Sequence, residues 1–157
     1  MGSEMCIRDS ISAGEIVSFQ TFMTGELFGL LSQQSVLRHS VESEDWDNTA
    51  FAEAVNDALS KPEILAARLF RVRATQLLNG SENGTARAQL SGLLIGTELA
   101  AARPYWLGQQ VAVIGAPGLA HTYVNALVEL GVPATRAPVE AMTLSGLCAV
   151  HRALEIA

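Results

Sequence analysis

The stretch Gln110-Val111-Ala112-Val113-Ile114, followed by Gly115-Ala116-Pro117-Gly118, constrains the fold more than any other part of the chain. A short run that is nearly all apolar reads as a strand buried on both faces of a parallel sheet. The glycine turn leads into a helix from about Leu119 to Leu130, stopped by Gly131. Val132 to Ala137 reads as a second strand and Met142 to Ile156 as a closing helix. This is a βαβα unit, whose crossover is expected to be right-handed. The class is therefore α/β.

Upstream, helical signals dominate. Ala13-Gly14 is a turn, and Glu15 to Phe22 is rich in β-branched and aromatic residues, a strand leaving a hairpin. Its partner strand belongs just before Gly14, in Met1 to Ser10, a segment that fits nothing that follows and reads as a spurious leader. Fold reasoning therefore starts at Ile11. Leu27, Leu30 and Leu31 lie at helical spacing within Glu26 to Gln33, with Thr24 as the expected N-cap. Ser35 to Asn48 reads as a polar loop, and Phe51, Val55 and Leu59 mark an amphipathic helix. Ser60-Lys61-Pro62-Glu63 has the pattern of a capping box, starting a helix that stops at Asn79-Gly80. After a loop at 81–84, a long helix runs from about Thr85 to Arg103, ended by Pro104. Gly92 and Gly96, one turn apart in it, predict the close approach of another element. The result is an α/β fold with a large helical insertion.

At 157 residues the chain is long enough for one ordinary domain. Apolar residues make up 49 % and charged residues 17 %, too apolar for disorder. No run approaches the roughly 18 to 20 apolar residues that a spanning helix needs. Ten basic against sixteen acidic residues give a net charge of −6, which leaves no basic footprint for nucleic acid. Cys6 and Cys148 form neither a disulfide framework nor a Cys-x-x-Cys pair, which points to a reducing cytoplasm. Cys148, in an apolar helical run, is expected to be buried. Oligomeric state is not legible. The apolar fraction exceeds what one core of this size needs.

Chemistry is sparse. Gly115-Ala116-Pro117-Gly118 lets a ligand approach the backbone at a helix N-terminus. It matches neither Gly-x-Gly-x-x-Gly nor a phosphate-binding P-loop, so its spacing fits either a structural strand–helix turn or a nucleotide contact. Thr21 to Glu26 places polar residues at a strand end, where Thr24 and Glu26 either cap a helix or face a site. His39, His121 and His151 lack metal-ligand spacing; His121, one turn past Gly118, reads as a helix-surface histidine. Glu98 is either a buried functional carboxylate or a rim residue, and Arg68, Arg71 and Arg73 read as a solvated helix face. No nucleophile–base pair or phosphate-gripping lysine can be assembled.

The segments Phe19 to Leu31, Phe70 to Ala74, Leu90 to Glu98, Val111 to Ala120 and Leu144 to Leu147 together closely resemble the 2-dehydro-3-deoxygalactonokinase family. The resemblance covers residues 11–157, in order. It implies the C-terminal, nucleotide-side domain of a sugar-acid kinase of the actin-like ATPase superfamily, with a ribonuclease-H-like fold. Such kinases transfer the γ-phosphate of ATP to 2-dehydro-3-deoxy-D-galactonate across an interdomain cleft. By this resemblance Gly115, Ala116, Pro117 and Gly118 form the adenosine loop, with Leu119 and Tyr123 nearby, and Thr24, Gly25 and Glu26 face the cleft. The family's first glycine-rich phosphate motif is absent, as is the Pro-Gly-Thr-His segment expected just before Gly14. No catalytic residue is therefore assigned, and Mg²⁺ ligands are expected mainly in the missing N-terminal half. The expected function is that of a kinase fragment inactive alone. The alternative is a non-enzymatic nucleotide-binding or protein-interaction module; a Rossmann-type dinucleotide domain has the wrong fingerprint.

Overall fold

In the computed structural model, residues 6–43, 45–80 and 83–155 are described. They divide into two compact units, Met1–Leu107 and Gly108–Ala157. The first begins with an antiparallel hairpin of β1 (Cys6–Ser12) and β2 (Glu15–Phe22). Its two-residue turn holds Ala13 and Gly14 at φ 52° and 80°, the left-handed pair that suits the twist of a tight hairpin. Ile11 faces Ile16 while Ser10 faces Ser18, so a bulge falls at Val17.

The partner strand is thus Cys6–Ser12, so residues 6–10 are part of the fold and not a spurious leader. Cys6 is buried, and the Arg8 Nη2 pairs with Oε1 of Glu98, whose side chain is only 1 % exposed. Residues 6–10 must therefore be included in any account of the fold; residues 1–5 lie outside the described part. Cross-strand alternation puts Ile7, Ile11, Ile16 and Phe19 on the opposite face of the hairpin, each more than half exposed.

Helices follow: α1 (Thr24–Gln33), α2 (Asn48–Ser60), α3 (Leu65–Asn79), α4 (Asn83–Ala101) and the short α5 (Arg103–Trp106). The polar stretch after α1 is more ordered than a loop. It contains a 3-10 turn at Val36–His39, whose Leu37 and the following Val41 enter the core. Asp47 then caps α2 by accepting from Ala50 N at 3.0 Å, and its other oxygen accepts from Thr85 Oγ1 at 3.0 Å. The expected capping box does not form. Ser60 ends α2 and donates back to Asn56 O, while Lys61 precedes a 3-10 turn at Pro62–Ile64 without a side-chain cap. Gly80, at φ 60°, ends α3 in a left-handed cap, as the Asn79-Gly80 pair predicts.

The core gathers Ala54 and Ala58 of α2, Val72 of α3 and Leu90, Leu93 and Leu94 of α4, with Phe28 and Leu31 of α1 packed against it. Its tightest seam is α2 on α4. A Cβ on Gly92 would lie 2.6 Å from Phe51 O and 2.8 Å from Ala54 Cβ; one on Gly96 would lie 2.5 Å from Val55 O. The two carbonyl oxygens are backbone atoms held by the α2 helix and the Ala54 Cβ is fixed to it, so only glycine fits.

The arginine cluster is not a solvated face. Arg68 is buried and donates through Nη1 to Asp57 O and to Lys61 O at 3.0 Å, tying the end of α2 to α3. Arg73 Nη1 donates to Gln76 Oε1 at 2.7 Å and to Ser40 Oγ at 3.3 Å. Of the three, only Arg71 is exposed.

In the second unit β3 (Val111–Ile114) pairs in parallel with β4 (Ala134–Ala137), with α6 (Pro117–Glu129) between them in sequence and α7 (Val139–Glu155) after them. This is the expected βαβα order. β3 is not buried on both faces, however: Ala112 and Ile114 are exposed, because α6 packs on one side of a two-stranded sheet. No residue of α7 is buried, so Cys148 is exposed, contrary to expectation. Ile156, the expected end of that helix, lies outside the described residues.

Gly92→Ala and Gly96→Ala should each destabilise the chain by about 1–3 kcal/mol in denaturant unfolding. Gly29→Ala, where an added Cβ meets nothing within 4 Å, should instead stabilise it by about 0.5–1 kcal/mol. The hydrogen bonds from Ala50 N and Thr85 hold the Asp47 carboxyl below its ordinary value of 3.8. A lowered folded-state value means that its contribution is fully present above pH 3.8 and is lost as pH falls through the folded value. Asp47→Ala should therefore lower the unfolding midpoint at pH 7, and the gap to the parent chain should close on acidification below 3.8.

Candidate functional site

β3 ends at Ile114 and the chain turns through Gly115 and Ala116 into α6, with Pro117 as its first residue. Proline suits that position because its fixed φ is already helical and the first-turn N–H is not needed. Ala116, at φ −55° and ψ 139°, is the N-cap, and no side chain caps the helix. Ala120 N donates to Ala116 O at 2.9 Å and closes the first turn. The amides of Gly118 and Leu119 precede that closure, so helical geometry gives them no partner within α6. The helix dipole adds partial positive charge there.

The surrounding space is open. A Cβ on Gly115 or Gly118 would meet nothing within 4 Å, and Ala116, Pro117 and Gly118 are exposed. Leu119 is 41 % exposed. Tyr123, one turn on, is buried with Ala120, Ala126 and Leu127, so its ring packs inside the unit instead of lining the open surface. His121 is exposed, with Asn125 Nδ2 3.2 Å from its Nε2. This turn offers a bare stretch of backbone flanked by a helix N-terminus and an apolar side chain. That arrangement suits a flat or anionic group, and nothing in it acts as a base or nucleophile.

The second set of candidates sits in the first unit, on the opening turn of α1. Met23, and not Thr24, is the N-cap; Leu27 N donates to Met23 O at 2.8 Å. Thr24 is the first helical residue and is buried, whereas Gly25 and Glu26 are half-buried. Glu26 lies where a helix N-terminus favours a negative charge. The structure thus gathers 115–119 on one turn and 24–26 on another. Glu98 is a buried carboxylate held by Arg8, and sequence reasoning missed this because Arg8 lay in the discarded leader. Among the described residues, no group of three or more His, Cys, Asp or Glu could hold a metal ion. No helix among them is long and apolar enough to cross a membrane.

The profile of the 2-keto-3-deoxy-galactonokinase family matches residues 9–150. A Rhizobium meliloti (strain 1021) protein assigned as a 2-dehydro-3-deoxygalactonokinase is 37 % identical over 143 residues, covering 88 % of this chain and 47 % of the relative. The 2-dehydro-3-deoxygalactonokinase of Escherichia coli (strain K12) is 30 % identical over 141 residues, covering 89 % of this chain and 48 % of the relative. A crystal structure of a Sinorhizobium meliloti protein, assigned to the same activity, superposes with a TM-score of 0.87 at 35 % identity. The match covers 94 % of this chain and 50 % of that one. The chain spans about half the length of the curated relatives it matches. With its family match running almost end to end, the chain belongs to the 2-keto-3-deoxy-galactonokinase family.

Proposed function

We propose that this chain corresponds to the C-terminal, nucleotide-side half of a cytoplasmic sugar-acid kinase with a ribonuclease-H-like fold. In this reading the chain from residue 6 onward forms the nucleotide-side domain, and the whole enzyme transfers the γ-phosphate of ATP to 2-dehydro-3-deoxy-D-galactonate. The observation that carries it is the open backbone turn Gly115-Ala116-Pro117-Gly118, set at a parallel strand's end within a chain matching half of its kinase relatives.

The residues of the turn fit a nucleotide. Without Cβ atoms, Gly115 and Gly118 let an adenosine lie against the main chain. Leu119 offers an apolar edge, and the Gly118 and Leu119 amides favour negative charge. Tyr123 supports the turn through packing inside the unit. Gly25 and Glu26 on α1 would face the acceptor side of the cleft, with Thr24 anchoring that turn from its buried position. Mg²⁺, when bound to ATP, supplies charge neutralisation at the phosphates, and no residue here is assigned to hold it. Phosphoryl transfer rests on aligning phosphates, metal and acceptor, so one side of a cleft binds without catalysing.

A second reading, a non-enzymatic nucleotide-binding or interaction module, draws support from the exposed apolar face of the hairpin. The kinase reading requires the turn to bind nucleotide and an interaction module does not, and the readings part on turnover once the other half of the kinase is supplied.

Gly118→Leu separates binding from folding, since its side chain projects into open space. Calorimetric titration with ATP should show affinity weakened about tenfold or more, with the unfolding midpoint unchanged or raised. A variant that binds ATP as the parent chain does would remove the turn from the site.

A further inference from the structure

The two strands of the second unit run parallel and leave their sheet at the same end. Ile114 pairs with Ala137 on the last rung, so the chain exits through Gly115 on one strand and Pro138 on its neighbour. Each exit opens a helix, α6 at Pro117 and α7 at Val139. Neighbouring strands lie about 4.8 Å apart, so both helix starts border one crevice beyond the strand ends. The carboxyl ends of parallel strands are where such sheets take their ligands.

The exit from β3 offers main chain and apolar side chains, and the exit from β4 adds a charge. Glu140 lies in the first turn of α7 and is exposed. Met142 N donates to Pro138 O at 3.1 Å and closes that turn, so Glu140 is carried on ordered helical backbone. The side-chain carboxylates of the unit are Glu129, Glu140 and Glu155. Glu129 ends α6, away from the strand exits, and Glu155 pairs with His151 at 3.3 Å near the far end of α7. Glu140 alone stands where the strands open, and it makes no hydrogen bond or ion pair among the described residues.

A negative charge in the first turn of a helix is stabilising in itself. Beside an open nucleotide turn it also selects what can lie there. An ionised carboxylate only accepts hydrogen bonds. The phosphates of a nucleotide only accept as well and are repelled, so the carboxylate must meet the nucleoside end, where the donors are. The vicinal 2′ and 3′ hydroxyls of ribose offer two donors to its two oxygens, whereas the amine of adenine offers one group. We propose that Glu140 is a ribose-binding residue, accepting from the 2′ and 3′ hydroxyls of a ribonucleotide laid against Gly115. It sets the direction of the ligand, with ribose toward α7 and phosphates toward the Gly118 and Leu119 amides of α6. The inference rests on the nucleotide reading of that turn.

The test is calorimetric titration of this chain with ATP, 2′,3′-dideoxy-ATP and inosine triphosphate, which lacks the amine of adenine. The parent chain should bind ATP about tenfold more tightly than the dideoxy analogue. Glu140→Ala should weaken ATP and inosine triphosphate alike, each about tenfold, and should lose the preference for ATP over the dideoxy analogue. Charge alone predicts the opposite sign, since removing a carboxylate strengthens the binding of a polyanion. A variant that binds ATP as the parent does, or keeps the parent's preference, would overturn the proposal and leave Glu140 as a helix-terminal charge. A loss confined to ATP, with inosine triphosphate unaffected, would overturn it in favour of the base amine. A parent chain that binds none of the three would instead defeat the nucleotide reading of the turn, and this inference with it.

Discussion

The contact of α2 with α4 is the constraint from which the first unit is built. Two glycines one turn apart bring the α4 backbone against the carbonyls of Phe51 and Val55, closer than any side chain permits. At that separation Ala54 and Ala58 can mesh with α4, and the larger Leu90, Leu93 and Leu94 are left to meet α1, α3 and the 3-10 turn. The intrinsic cost of each glycine in a helix, about 1 kcal/mol, is offset by packing that no other residue allows. Polar ties then hold the ends in register. Asp47 links the start of α2 to Thr85 near the start of α4, and Arg68 links its end to α3.

The second unit works by a different principle. Its parallel pair is too small to bury both faces, and α6 covers one of them. What it contributes is a turn with little side-chain bulk around it, aimed by a strand and a helix N-terminus. Chemistry at such a site comes from the main chain. That explains how an acidic chain can be proposed to hold an anionic nucleotide with no basic patch.

Much of this was legible in the sequence because it depends on local pattern. The run Glu15 to Phe22, the glycine pair of α4, the Gly80 stop and the strand–turn–helix around Gly115 each follow from periodicity or from a residue's backbone freedom. The failures share a physical cause: they depend on what a residue meets across space. Thr24 has a cap's side chain but sits one position inside the helix. Ser60 has a capping-box partner at Glu63, yet it bonds backward to Asn56. Arg68 looks like its neighbours in sequence, and only the helix end beside it makes it structural. Cys148 sits in an apolar run whose helix, among the described residues, buries nothing. The Arg8–Glu98 pair joins positions ninety residues apart, and no local signal marks Arg8 as the partner of a buried acid.

The excess of apolar residues also takes on a form. Ile7, Ile11, Ile16 and Phe19 line one face of the hairpin, and Leu144, Leu147, Val150 and Leu154 line one face of α7, all more than half exposed. In the proposed kinase such faces belong with the other half of the molecule, since the relatives are about twice as long. The most direct measurement is ADP release with ATP and 2-dehydro-3-deoxy-D-galactonate, by this chain alone and mixed with the N-terminal half of the Sinorhizobium meliloti relative. The account predicts no turnover above background from the chain alone and measurable turnover from the mixture. Robust phosphorylation by the 157-residue chain, or a mixture as inert as its parts, would contradict it.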